Sequence, residues 1–307
     1  MEDNFYMSKE TMKFTKMHGL GNDFVMVDCL DSVPNIDFER LAEAVCDRHF
    51  GIGGDGLILI LPDDEANFRM RMWNPDGSES EMCGNGIRCF GKYLFDAGKV
   101  SGEVSVATTK GLQRIEIKAE DSKPGDATVS VRVDMGVPRL QRNEIPMTLV
   151  EGQFGGDTQQ VVDQPLDVDG TPYRITAVSM GNPHAVIFVE DVESVPLKEL
   201  GLQIEHHAAF PERTNAHFVQ VLGPNKLWMR TWERGAGDTL ACGTGACSVL
   251  VAAVLNNKLG AGERRALVHL PGGDLEIEWS TNNHVFMTGP ATTVFSGELD
   301  KNWLAQI

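Results

Sequence analysis

The sequence predicts an α+β protein of two pseudo-symmetric domains, each a curled, mostly antiparallel, barrel-like sheet around a central helix. Three observations carry this expectation: the chain repeats itself, short β-branched runs outnumber helical stretches, and each repeat holds one apolar helix opening on Cys-Gly-x-Gly. The length of 307 residues agrees with two domains, since a single domain takes roughly 100–200 residues.

The repeat is read from four landmarks. GNDFVMVD (21–28) resembles GNPHAVIFVED (181–191), and EMCGNGIRC (81–89) resembles LACGTGAC (240–247). Asn22 precedes Cys83 by 61 positions and Asn182 precedes Cys242 by 60. Asp55 follows Asn22 by 33 positions, as Asn215 follows Asn182, and TTKGLQRIEI (108–117) parallels LPGGDLEIEW (270–279). Duplicated halves place equivalent residues about a pseudo-twofold axis, so a cleft between them presents like groups from opposite sides. The active site is expected in that cleft.

Taken in order, FVMVD (24–28) and LILIL (57–61) are short apolar runs bounded by Gly, Asp or Pro and read as strands. Between them Asp37 can cap a helix whose Phe38, Leu41 and Val45 share one face, ending before Gly51. After the first Cys-Gly pair Ile87, Phe90 and Leu94 keep helical spacing, with Gly98 as the C-terminal cap. ACSVLVAAVL (246–255) is apolar on every face, as a helix enclosed by sheet would be. The acidic, Pro- and Gly-containing segment 119–177 is expected to hold the crossover between halves. MGVP (135–138) and TGP (288–290) are expected to end equivalent strands, each half donating its last strand to the other. The repeats are therefore set at 1–138, completed by 288–307, and at 139–287.

Composition excludes several functions. Lys+Arg 27 against Asp+Glu 44 leaves a net charge of −17, which repels phosphate backbones and anionic lipid, so neither nucleic acid nor membrane is an expected partner. No run of 18 apolar residues occurs, and MEDNFYMSKE carries three acidic residues where a targeting peptide would be basic. A cytoplasmic protein is expected, its segment before Lys13 a disordered extension. The six cysteines follow no disulfide framework, the pairs Cys83/Cys89 and Cys242/Cys247 lack CxxC spacing, and there is no HExxH, so no metal site is expected. Gly51-x-Gly53-x-x-Gly56 matches the dinucleotide fingerprint only as a bare pattern. It follows a helix and precedes a strand, the reverse of a Rossmann loop.

The chemistry sits at two cysteines. Cys83 and Cys242 are each followed by Gly-x-Gly at a helix start, Gly84-Asn85-Gly86 and Gly243-Thr244-Gly245. Free N–H groups and the positive dipole end stabilise a thiolate there, and glycine lets an anion approach those donors. For a single cysteine the better reading is a small core residue, which is the reading for Cys29, Cys46, Cys89 and Cys247. Two such sites at equivalent places in a duplicated chain reverse it. One thiolate and one thiol supply the base and the acid that inversion of an α-carbon requires.

HGLGNDF (18–24), NPDGSESEMCGNGIRC (74–89), GNPHAV (181–186), RTNAHFV (213–219) and WERGAGDTLACGTGA (232–246) resemble diaminopimelate epimerase, from Lys13 to about Leu299. The resemblance implies interconversion of LL- and meso-2,6-diaminopimelate in lysine and peptidoglycan-precursor biosynthesis, without any cofactor, by a homodimer acting on a small amino acid. It makes Cys83 and Cys242 the two acid/bases and Gly84, Asn85, Gly243 and Thr244 the donors to the reacting carboxylate. His184 and Glu233 would lie near the thiols, tuning them or holding the reacting ammonium. Asn22, Asn74, Asn182, Asn215 and Arg234 would grip the far end of the substrate. His206, His207 and His217 lack such placement and read as structural. Gly56 stands where some members carry Gln and is left out of the site, and the crossover around 140–172 is longer than in compact members. A two-cysteine proline or hydroxyproline racemase is the nearest rival, but its pocket needs no distal cation such as Arg234. A redox module with a regulated disulfide is a rival of another class, separated by exchange of the substrate α-proton with solvent.

Overall fold

The computed structural model describes residues 11–150, 152, 153 and 155–307. The chain divides into two compact units, one holding the described residues up to Val129 together with Ala291–Ile307, the other Ser130–Pro290. The first contains β1 (Met12–Gly19), β2 (Asn22–Asp28), α1 (Phe38–Cys46), β3 (Gly56–Leu61), β4 (Phe68–Trp73), β5 (Glu79–Ser80), α2 (Gly84–Asp96), β6 (Glu103–Thr108) and β7 (Gly111–Lys118). β8 (Thr128–Asp134) leads into the second unit. That unit contains a short 3₁₀ turn at Arg142–Glu144, then β9 (Gln164–Val168), β10 (Thr171–Ser179), β11 (Pro183–Phe188), α3 (Leu197–Glu205), β12 (Asn215–Gly223) and β13 (Lys226–Glu233). It continues with β14 (Gly237–Thr239), α4 (Gly243–Leu255), β15 (Arg265–Leu270) and β16 (Gly273–Trp279). β17 (Val285–Leu299) returns to the first unit, which ends on α5 (Lys301–Leu304).

The duplication is visible strand by strand. In the first unit the ladder runs β17–β1–β2–β3–β4–β6–β7, antiparallel except at β2/β3 and β4/β6. The second runs β10–β11–β12–β13–β15–β16–β17, with its parallel pairs at the equivalent places, β11/β12 and β13/β15. Parallel neighbours need a crossover, and α1 and α3 supply the first of these in each unit while α2 and α4 supply the second. The predicted α+β class and repeat are thus observed.

Local chemistry explains the elements. Asp37 caps α1 by accepting from the Glu39 and Arg40 amides, satisfying two of its orphan donors. β3 is buried on both faces: Leu57 and Leu59 join Leu41 and Val45 of α1 in one core, whereas Ile58 turns toward Gly86 at the start of α2. In the second unit Ala185, Ile187, Ala216 and Phe218 pack with Leu197, Leu200 and Ile204 of α3. Ile87, Phe90 and Leu94 of α2 are buried, as is α4 from Ala246 to Ala253. A helix apolar on all faces and enclosed by sheet is the arrangement expected of the sequence.

Three expectations change. Thr288-Gly289-Pro290 ends no strand but lies inside β17, where β17 leaves β16 at Thr288 and takes up β1 at Thr292. A proline, lacking an amide donor, is tolerated at such a change of partner. Second, Met12 already pairs with Leu299 in β1, so the chain is structured just before Lys13; the rest of the expected extension, residues 1–10, lies outside the described residues. Third, His184 faces Asn215 across β11/β12, whereas Phe24 faces Gly56 across β2/β3. The register therefore matches Asn215 to Gly56, not to Asp55, and the one-residue difference between the repeats falls between β2 and β3. No described helix is long and apolar enough to cross a membrane.

Candidate active site

Cys83 and Cys242 are the N-cap residues of α2 and α4, each in extended backbone conformation with no side-chain cap. Their carbonyls accept the first helical hydrogen bonds, from Ile87 and Ala246, both at 2.9 Å. The helix N-termini, with their positive dipole ends, thus open at the two cysteines.

In the first unit the Cys83 thiol donates to Asn22 Oδ1 at 3.6 Å, which also accepts from Asn85 Nδ2 at 3.0 Å. Asn22 Nδ2 donates to Asp55 at 2.6 Å, fixing which end of the amide meets the thiol. Asn85 is held in turn by Arg88, whose buried guanidinium donates to its Oδ1 at 3.0 Å and to the Gly84 carbonyl at 3.3 Å. Asp55 shares Arg48 with Asp23. Burial would raise the Asp23 carboxyl, but hydrogen bonds from Arg48 and Lys16 outweigh it and hold the group at about 2. Asn74 donates to Ser78 Oγ at 3.0 Å within its own turn.

In the second unit Cys242 is only 4% exposed. Burial raises its pKa well above the usual thiol value, reinforced by Glu233, whose carboxylate repels a thiolate and accepts from the thiol; Gly245 N–H and Thr244 act the other way. Glu233 also accepts from Thr239 Oγ1 at 2.5 Å, and Thr244 Oγ1 lies 3.8 Å from the sulfur. Asn182 Nδ2 reaches Thr244 Oγ1 at 3.5 Å, and Asn182 Oδ1 meets His184 Nε2 at 2.9 Å. The Asn215 amide is engaged at both ends, donating to the Pro183 carbonyl and accepting from Arg234 N–H, each at 2.9 Å. It sets the backbone from which Arg234 projects. The exposed Arg234 guanidinium donates to the Glu212 carbonyl and, with Arg139, Ser179, Gly181 and Pro183, lines a polar depression of about 420 Å³.

The structure thus groups Asn22, Cys83, Gly84 and Asn85 in one unit, and Asn182, His184, Glu233, Cys242, Gly243 and Thr244 in the other. Asn74 and Asn215 bond to their own surroundings. His217, read from sequence as structural, belongs to the second group: its Nε2 lies 2.8 Å from His184 Nδ1. A signal was present, because Asn182-Pro-His184 and Asn215-Ala-His217 share the Asn-x-His spacing, which on neighbouring parallel strands puts both imidazoles on one face. Asp55 and Arg88 gave no such signal.

The two thiols should differ toward alkylating agents. Cys83 is half-buried while the other five cysteines are buried, and burial pushes Cys29 up to about 11 and Cys46 and Cys89 to about 12. Only thiolates alkylate readily. Iodoacetamide at neutral pH followed by peptide mass spectrometry should mark Cys83 first, with Cys242 labelled appreciably only at alkaline pH. Preferential labelling of Cys242 at neutral pH would contradict the described environments.

Residues 14–141 and 176–294 match the sequence profile of a family described as diaminopimelate epimerase. A diaminopimelate epimerase of Pelotomaculum thermopropionicum is 55% identical over 94% of this chain and 98% of its own length. One from Acetivibrio thermocellus is 52% identical over 95% and 100%. Among solved structures, a PhzF-family phenazine biosynthesis protein of Bacillus anthracis superposes with a TM-score of 0.66 at 17% identity, covering 95% of this chain and 99% of that one. A hydroxyproline epimerase from Agrobacterium vitis with bound trans-4-hydroxy-L-proline gives 0.65 at 15%, covering 95% and 93%. These two share the fold.

Proposed function

Because the chain belongs to the diaminopimelate epimerase family, it interconverts LL- and meso-2,6-diaminopimelate, and we propose that Cys83 and Cys242 carry the proton transfer. One sulfur removes the α-proton as thiolate while the other, as thiol, delivers a proton to the opposite face; the reverse direction exchanges the roles. The observation that carries this reading is the placement of both cysteines as N-caps without side-chain caps. Amides of Gly84-Asn85 and Gly243-Thr244 would bind the reacting carboxylate, where charge accumulates as the carbanion forms. Burial and then Glu233 favour the thiol form of Cys242, which suits it to the direction in which it serves as acid, and His184 acts through Asn182. We assign no cofactor to this scheme and take the working form to be a cytoplasmic homodimer.

The far end of the substrate is assigned to Arg234. Its guanidinium forms no ion pair among the described residues and lines the polar depression, so it can pair bidentately with the distal carboxylate. Asn215 supports this end by accepting from the Arg234 N–H. Arg234→Lys keeps the charge but not the fork, so KM should rise and kcat fall, because the distal grip also positions the reacting carbon. Wild-type kcat/KM should be far higher for LL-diaminopimelate than for L-lysine or L-proline. Equal use of all three, or an Arg234→Lys enzyme indistinguishable from wild type, would refute the distal assignment.

A further inference from the structure

The second unit carries a chain of polar side chains that the first unit replaces with apolar ones. Facing Gly86 at the start of α2 are Phe24 and Ile58, and Ile58 pairs with Met72 on β4. The equivalent places in the second unit hold His184, His217 and Thr231: His217 lies against Gly245 and pairs with Thr231 on β13. Both units keep the same strand order and the same pattern of parallel pairs. Three apolar side chains therefore suffice to build this layer of the fold, and burying three polar ones is costly unless each is hydrogen-bonded.

They are bonded, and the bonds have one direction. Asn182 Oδ1 can only accept, so His184 Nε2, 2.9 Å away, must donate. A neutral imidazole protonated on Nε2 has an accepting Nδ1, which His217 Nε2 meets at 2.8 Å as donor. His217 Nδ1 is then an acceptor for the Thr231 hydroxyl at 3.0 Å. His184 and His217 are wholly buried, and burial holds His217 down to about 3, which keeps it neutral at working pH. With Oδ1 taken, Asn182 has its NH₂ group left, and this lies 3.5 Å from Thr244 Oγ1 in the first turn of α4.

We propose that His217 is a positioning residue that fixes the tautomer of His184 and, through it, turns the Asn182 amide so that its NH₂ group faces the substrate carboxylate. The inference rests on the reading that Asn182 and Thr244 touch substrate. Without the donor from His217, His184 is free to protonate on Nδ1; its Nε2 then accepts, the Asn182 amide turns over, and a carbonyl oxygen meets the carboxylate.

Long-range ¹H–¹⁵N NMR on the ¹⁵N-histidine-labelled full chain at neutral pH reads both tautomers directly. His184 and His217 should each carry the proton on Nε2; an Nδ1–H form of either overturns the proposal. Kinetics give the second arm. His217→Leu, apolar like the matching Ile58, should lose roughly tenfold in kcat/KM, mainly through KM. His217→Gln, whose amide still donates toward His184, should stay within about threefold of wild type. Equal values for the two variants overturn the proposal. If His217→Leu does not fold, Thr231→Val decides, since it removes only the hydroxyl donor and should raise KM and populate the Nδ1–H form of His217. Failure of the cysteine reading looks different: Cys242→Ala would keep its activity while the tautomers remained as described.

Discussion

Replacing either Cys83 or Cys242 by Ala is expected to lower epimerisation by a factor on the order of 10⁴, the upper range for loss of a general acid or base. The loss should be alike in both directions, because each direction uses one sulfur as base and the other as acid. Each cysteine is an N-cap that makes no side-chain cap, so circular dichroism should stay near wild type, and any fall in Tm for the buried Cys242 should be no larger than for the control substitutions. Cys89→Ala and Cys247→Ala, in buried positions within α2 and α4, are the matching controls: they create small cavities and should lower Tm while leaving most of kcat. Near-normal turnover in a verified Cys83→Ala protein would remove the two-thiol assignment.

The second large effect is expected at Gly245. A Cβ there would stand 2.4 Å from His217 Cε1, 2.9 Å from His217 Nε2 and 3.0 Å from the Cys242 sulfur. None of these atoms is a free chain end: His217 is held by His184 and Thr231, and Cys242 starts the helix. Gly245→Ala must therefore displace the thiol, the imidazole or both, and displacements of about 1 Å cost about 100-fold in rate. Gly86 gives the internal comparison. Its added Cβ would meet Ile58 Cδ1 at 2.8 Å and Cys83 Cβ at 3.4 Å, and the isoleucine tip can rotate away. Gly86→Ala should lose less than about tenfold. The ratio of the two kcat losses is the test; a larger loss at Gly86 would contradict the described packing.

Much of this was legible in the sequence because duplication writes the same message twice. Neither Cys83 nor Cys242 alone would outweigh the reading of a small core residue, and the pair with matching Gly-x-Gly did. α1, α2 and α4 followed from Asp37 as cap and from apolar spacing, since helix caps and periodicity are local properties. What failed to show was set by strand register and partner. Pro290 reads as a stop until β17 is seen to trade β16 for β1 around it. Asp55 was matched to Asn215 by counting, and only the register across β2/β3 and β11/β12 shows Gly56 in that place. His217 was passed over for a related reason, as its partners His184 and Thr231 come from two other strands. Asn215 shows the converse. Its motif marked it as a substrate contact, and its amide also ties β11 to the start of the Arg234 loop, donating to the Pro183 carbonyl and accepting from the Arg234 N–H.

The same asymmetry between the units bears on mechanism. Ten residues before each cysteine stands a tryptophan, Trp73 and Trp232, and the next position is Asn74 in one repeat and Glu233 in the other. The acid thus lies beside Cys242, and the buried guanidinium of Arg88 lies beneath Asn85 next to Cys83. Equivalent backbones carry opposite charges at the two helix starts, so the two thiols are chemically distinct before substrate arrives.

The most direct test of the two-thiol account is the fate of the α-hydrogen when LL-diaminopimelate is converted in deuterated water and stopped at low conversion. Two acid/base groups on opposite faces predict meso product carrying solvent deuterium at the inverted carbon, with the remaining LL substrate still unlabelled. Meso product that retains the substrate's own hydrogen would mean a single group working both faces, and would contradict the assignment of Cys83 and Cys242.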